Sequence, residues 1–127
     1  MPNSSIAAVS VLSVVEGLIG LGTVPTILYV IRNRELPVMF GIRFMGGGFL
    51  EALGLDVLIV WTLILIALSP LHFVAGYWLW KSLRIGGLLS AVLLIPDIAT
   101  GIGYAAPYVV LHLIRGILLA VVWSTLR

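Results

Sequence analysis

Residues 57–80 read VLIVWTLILIALSPLHFVAGYWLW, a run with no Asp, Glu, Lys or Arg, introduced by Asp56 and closed by Lys81. A helix needs about 20 apolar residues to cross about 30 Å of hydrocarbon, so this run is long enough to span a bilayer. Asp56 stands near the N-terminus of the expected helix, where an acid favours the helix dipole. Pro70 within it predicts a bend near Ile66–Pro70. The whole chain is of the same kind. Of 127 residues, 61% are hydrophobic and 9% charged, with a mean hydropathy of +1.23. Soluble domains carry about 25% charged residues, and a domain this small hides only about two-thirds of its surface. The surplus apolar side chain must face lipid. The same composition excludes disorder, a cytosolic enzyme and, with no Cys, a disulfide scaffold.

Outward from that run, four spans are expected at about residues 6–31, 56–80, 85–105 and 107–126. The first holds one ionisable residue, Glu16, and Pro25 is placed to kink it; neighbouring helices satisfy the carbonyl such a proline frees. Its length, and a preceding segment without Lys or Arg, set it apart from a cleavable signal peptide. The third is interrupted by Pro96 and Asp97, and the fourth opens with Pro107 in the favoured first turn. No segment alternates with period two over the ten or so residues of a transmembrane β-strand. The expected architecture is therefore an all-α membrane protein, one domain over residues 1–127, with four transmembrane helices in an antiparallel bundle.

Lys81–Arg84 and Tyr104–Pro107 read as tight connections. The first connection is longer, and its part at about residues 36–54 is too apolar for a solvated loop: it carries Met39, Phe40, Phe44, Met45, the triplet Gly46-Gly47-Gly48, Phe49 and Leu50. It reads as an interfacial segment, or alternatively as a re-entrant dip. No Gly-Lys-Ser/Thr follows the triplet, so it is no phosphate cradle and reads as a flexible break.

Five ionisable residues fall inside the spans: Glu16, His72, Asp97, His112 and Arg115. An Asp or Arg at mid-depth costs about 2.5–3.5 kcal/mol, so each is expected to point toward other helices. At about 1.5 Å per residue, Asp97 and Arg115 stand at one height across the last turn, which predicts an intramembrane ion pair. Glu16 and His72 share a depth that allows a hydrogen bond between them. His72 and His112 are expected about 10 Å apart in depth, too far for the two axial ligands of one haem. With Asp97 paired to Arg115, convergence of Glu16 with Asp97 is not expected. Small residues at three- and four-residue spacing mark packing faces: Ser10, Ser13, Gly17 and Gly20 on the first span, bordered by Glu16; Gly87, Ser90, Leu94, Asp97 and Gly101 on the third. Tyr108, His112, Arg115, Gly116, Leu119 and Trp123 form the equivalent stripe on the fourth. Trp61, Tyr77, Trp78, Trp80, Tyr104, Tyr108 and Trp123 gather mostly near span ends and read as interfacial anchors.

Catalytic motifs are lacking: there is no H-E-x-x-H, no G-x-S-x-G and no cysteine nucleophile. No enzyme activity, metal or cofactor is expected. The net charge of +2 is too thin and scattered for a nucleic-acid footprint. The expected partners are the lipid bilayer and other membrane subunits or copies of the chain. Lys81 and Arg84 crowd one short loop, which leans both termini toward the cytoplasm. Three functions stand: a non-catalytic accessory or assembly subunit; a proton-coupled transporter or channel using Glu16 with Asp97 and Arg115, and His112 along the path; and a haem- or quinone-associated redox subunit resting on His72 and His112.

The stretches from Gly46 to Gly54 (GGGFLEALG) and from Ala75 to Lys81 (AGYWLWK), with the ending WSTLR at residues 123–127, resemble a widespread set of small prokaryotic four-helix membrane proteins without an assigned reaction. The resemblance implies four spans and a prokaryotic cytoplasmic membrane. In length, and in an acid early in the first span, the chain is also similar to the small multidrug resistance transporters, whose glutamate exchanges protons for cationic drugs; Glu16 would match it. The glycine-rich first connection, the Asp97–Arg115 pair and the histidines depart from that pattern.

Overall fold

The computed structural model describes residues 3–39, 42–43, 48–103 and 109–127. Its helices are α1 (Ser4–Gly22), α2 (Val24–Asn33), α3 (Phe49–Leu53), α4 (Leu55–Trp80), α5 (Arg84–Gly103) and α6 (Val109–Val122), the last followed by a single 3-10 turn, Trp123–Thr125. Between α2 and α3, two-residue strands β1 (Val38–Met39) and β2 (Ile42–Arg43) pair antiparallel. Phe40, Phe44, Met45, Gly46 and Gly47 of the apolar connection lie outside the described residues, as do Tyr104, Pro107 and Tyr108 of the last turn.

Among the described residues, three helical runs are long and apolar enough to cross a membrane: Ser4–Asn33, counted through a break, Leu55–Trp80 and Arg84–Gly103; Val109–Thr125 is apolar and shorter. Asn3 starts α1 by accepting the Ile6 N–H on its side-chain oxygen at 2.8 Å, which satisfies one of the free donors of a first turn. The kink expected at Pro25 is a break between two helices. Pro25 brings no N–H to the Leu21 carbonyl, and Thr23 ends α1 by donating both its N–H and its hydroxyl to the Gly20 carbonyl, at 3.2 and 2.6 Å. Pro25 then sits in the first turn of α2, where a missing donor costs nothing. Helices α4 and α5 instead run on through Pro70 and Pro96.

Helix α1 packs on α4 and α6, and α5 packs on the same two, so the four long helices close a ring; α2 rests on α1 and α4, and α3 on α4 and α5. In lipid, apolar burial between helices supplies little drive, and close van der Waals contact supplies more. The small residues of α1 provide it. The Ser10 hydroxyl donates to the Gly76 carbonyl at 2.5 Å. A Cβ on Gly76 would stand 2.9 Å from Val14 Cγ2 and 3.1 Å from the Ser10 carbonyl oxygen, and one on Gly20 would overlap the Ser69 hydroxyl.

Two apolar clusters lie at opposite ends of the ring. Ile6, Val9, Leu79, Leu119, Val122 and Leu126 fill the end that carries the chain termini. Ile27, Val30, Leu36, Leu50 and Leu58 fill the other, between α2, α3 and α4. Much of the remaining apolar surface points outward: Ile95 is 74% exposed and Ile117 65%. Such a surface suits lipid.

Candidate functional site

Between the two apolar clusters, all five intramembrane ionisable residues are buried, none more than 6% exposed. They come from four different helices: Glu16 from α1, His72 from α4, Asp97 from α5, and His112 and Arg115 from α6. Spacing accounts for this. Glu16 lies about 18 Å along its helix from Ser4, Asp97 about 20 Å from Arg84, and His112 about 20 Å from Thr125, at about 1.5 Å per residue. All three are therefore at one height above the end that carries the termini.

Arg115 is the hub. Its Nη2 donates to Asp97 Oδ2 at 2.7 Å, and its Nη1 donates to Glu16 Oε2. Nη2 also lies 3.4 Å from the Ser90 carbonyl oxygen. His72 Nε2 lies 2.8 Å from Asp97 Oδ2 and 4.0 Å from Glu16 Oε2. His112 Nδ1 hydrogen-bonds Glu16 Oε1 at 3.0 Å. Each carboxylate thus hydrogen-bonds the guanidinium and one imidazole. Bonds to ionised groups are about twice as strong as neutral ones, and a guanidinium forks naturally between acceptors. Among the described residues, three buried side-chain atoms lack a partner: His72 Nδ1, Ser90 Oγ and Arg115 Nε.

Three expectations need correcting. Glu16 and Asp97 do converge, because one guanidinium holds both at once. Asp97 having a partner did not remove it from reach of Glu16. The 10 Å gap in depth between His72 and His112 also fails, since both rings flank the Glu16 carboxylate at 4.0 and 3.0 Å. That estimate treated heights as fixed by residue counting alone, whereas side chains several ångströms long level out a difference of a turn or two. For Glu16 and His72 themselves, 4.0 Å is an ion-pair distance and no hydrogen bond.

A cavity of ≈ 50 Å³ adjoins the network, walled by Glu16, His72, Asp97 and His112 on one side and by Thr23, Ser69 and Thr100 further along. The sequence reading did not single out these hydroxyls. The signal was present: Ser69 is three residues before His72, Thr100 three after Asp97, and Thr23 seven after Glu16, all spacings that share a helix face. Each hydroxyl donates to a backbone carbonyl of its own helix: Thr23 to Gly20, Ser69 to Leu65 and Thr100 to Pro96. Trp61 Nε1 donates to Thr100 Oγ1 at 2.8 Å, so this tryptophan, expected as an anchor, is tied into the interior.

Ligand atoms of Glu16, His72 and Asp97 lie within 4.8 Å of one another, as three ligands of a metal would. The guanidinium already bonded to both acids occupies that role, and a cation would have to displace it. The arrangement is suited to holding and passing protons: two acids, two imidazoles and one fixed positive charge within hydrogen-bond reach. No protein-family model, curated protein or solved structure matches the chain.

Proposed function

We propose that this chain is a non-enzymatic integral membrane protein of four spans, both termini cytoplasmic, that binds a proton at the Glu16–His72–Asp97–His112–Arg115 network. Its movement would be coupled to passage of a small solute or ion, in an assembly of several copies. One observation carries the reading: Arg115 bridges two acids that each also meet a histidine. Two carboxylates against one guanidinium leave one negative charge in excess, and a single added proton brings the network to neutrality. That proton belongs to the group as a whole. Stability alone does not account for such a network, since buried ion pairs are commonly matched by apolar side chains of the same volume. Ionisable groups at this depth mark ion or proton pathways by default.

A second reading is an accessory or assembly subunit, in which the same network pins four helices together for partners to dock on. The cavity favours it, because ≈ 50 Å³ holds water and no larger solute. The two readings separate in reconstituted vesicles loaded with a pH-sensitive dye. Under an imposed pH gradient, with small cations, anions and neutral solutes supplied in turn on the opposite face, the wild type should pass protons with at least one of them and Glu16→Gln should not. Absence of flux in both ends the transport reading, and constant co-purification with a larger complex then supports the accessory one.

A further inference from the structure

Resting on the proton-binding reading, we infer that the cavity beside the network binds an ammonium ion, taken up in competition with the network's proton. Ammonium would then be the solute of that same site. Size sets the first limit. A water-sized particle needs about 10–15 Å³, so the ≈ 50 Å³ cavity has room for ammonium but not for a full hydration shell or a drug-sized organic cation. Charge sets the second. Glu16 and Asp97 line the cavity, whereas Arg115, which bridges them, is not part of its wall. Two acids against one guanidinium leave one negative charge in excess, and a buried charge persists where it is paired. One monovalent cation in the cavity meets that excess as a proton does. Cation and proton together would leave a net positive charge in the interior, so each excludes the other.

Hydrogen bonding decides which cation. Thr23, Ser69 and Thr100 each use their hydroxyl hydrogen on a backbone carbonyl, which leaves oxygen lone pairs to accept. His72 Nε2 lies 2.8 Å from Asp97 Oδ2. An ionised carboxylate only accepts, so that nitrogen carries the hydrogen and Nδ1 of the neutral ring is an acceptor. His72 lines the cavity, is 5% exposed, and its Nδ1 has no partner among the described residues. His112, the other imidazole of the wall, turns its Nδ1 to Glu16 Oε1 at 3.0 Å. Carboxylate oxygens, hydroxyl oxygens and a bare imidazole nitrogen suit a cation that brings N–H donors of its own. Hard metal cations take oxygen ligands and would leave that nitrogen unused.

A ligand that binds only the folded protein raises its thermal stability with concentration. The protein in detergent is titrated with ammonium, potassium and sodium chloride in turn, with choline chloride holding the ionic strength constant. Tm should rise with ammonium and clearly less with potassium or sodium. Ser69→Ala removes one acceptor from the wall; Ser13→Ala removes a buried hydroxyl that donates to the Val9 carbonyl away from the cavity. A hydrogen bond to a charged group is worth about tenfold or more in binding. Ser69→Ala should therefore need about tenfold more ammonium for the same rise above its own baseline, and Ser13→Ala no more than the parent. Absence of a rise with ammonium, an equal rise with potassium, or one ammonium response shared by both variants overturns the inference. The comparison of salts uses the parental chain and stands even if a variant does not fold. In weak buffer with a pH-sensitive dye, ammonium should also release protons at a pH where the network holds one. A Tm rise without proton release at any pH keeps the ammonium site and discards the proton-binding reading; proton flux in vesicles from a chain indifferent to ammonium does the reverse.

Discussion

At the scale of single residues, Arg115 ties the two buried acids together. It is 0% exposed and holds a carboxylate on either side. Removing one partner of a buried charge group leaves the others uncompensated, at about 3–5 kcal/mol. Arg115→Met should therefore lower thermal stability in detergent by that order, whereas Arg115→Met combined with Glu16→Gln and Asp97→Asn should recover most of the loss. A simple Asp97–Arg115 pair would let a charge swap, Asp97→Arg with Arg115→Asp, restore folding. The bridged geometry predicts that it does not, because a carboxylate at position 115 would face Glu16. Recovery of parental stability in the swapped protein would count against the bridge. The pairing of Asp97 with Arg115 could be read from heights on consecutive helices, 18 residues apart. Glu16 reaches Arg115 from 99 residues away, and no local spacing encodes which face of α1 turns to α6.

Among the elements, the joint between α4 and α5 brings a glycine nearest to a neighbouring backbone. A Cβ on Gly86 would lie 2.7 Å from the Leu79 backbone nitrogen and 2.9 Å from the Trp78 carbonyl carbon, and backbone cannot move aside as a side-chain tip can. Forcing extra volume into a close-packed site costs about 1–3 kcal/mol. Gly86→Ala should destabilise by that amount in detergent unfolding. Gly22→Ala, with nothing within 4 Å of its added carbon, should be neutral or gain a few tenths of a kcal/mol from helix propensity. Indistinguishable behaviour of the two variants would contradict this packing of α5 against the end of α4. The break at Thr23 belongs to the same scale. Pro25 announced an irregularity in the sequence, but Pro70 and Pro96 announced the same and lie within unbroken helices. A proline removes one donor wherever it stands, and the surrounding contacts settle whether the helix goes on.

For the whole molecule the question is which solvent it faces. Ile95 projects outward from α5, 74% exposed. In water, Ile95→Asp would be harmless and would add solubility. In a bilayer it sets a charge against acyl chains at about 2.5–3.5 kcal/mol near mid-depth, while giving up little internal contact. Insertion into membranes, followed by fractionation, should fall sharply for this variant. Unchanged insertion would remove the lipid-facing surface from the description. That surface was legible in the chain as written: long runs such as Val57–Trp80, almost free of charge, can be hidden only in hydrocarbon, whatever the arrangement of helices. The identity of the costly interior groups was equally plain, because Glu16, His72, Asp97, His112 and Arg115 interrupt those runs. Their meeting as one network beside a small cavity came from packing alone. Run length and charge are properties of segments taken singly, but convergence depends on the rotation and height of four helices together, which small residues such as Gly20, Gly76 and Gly86 set through contacts across the ring.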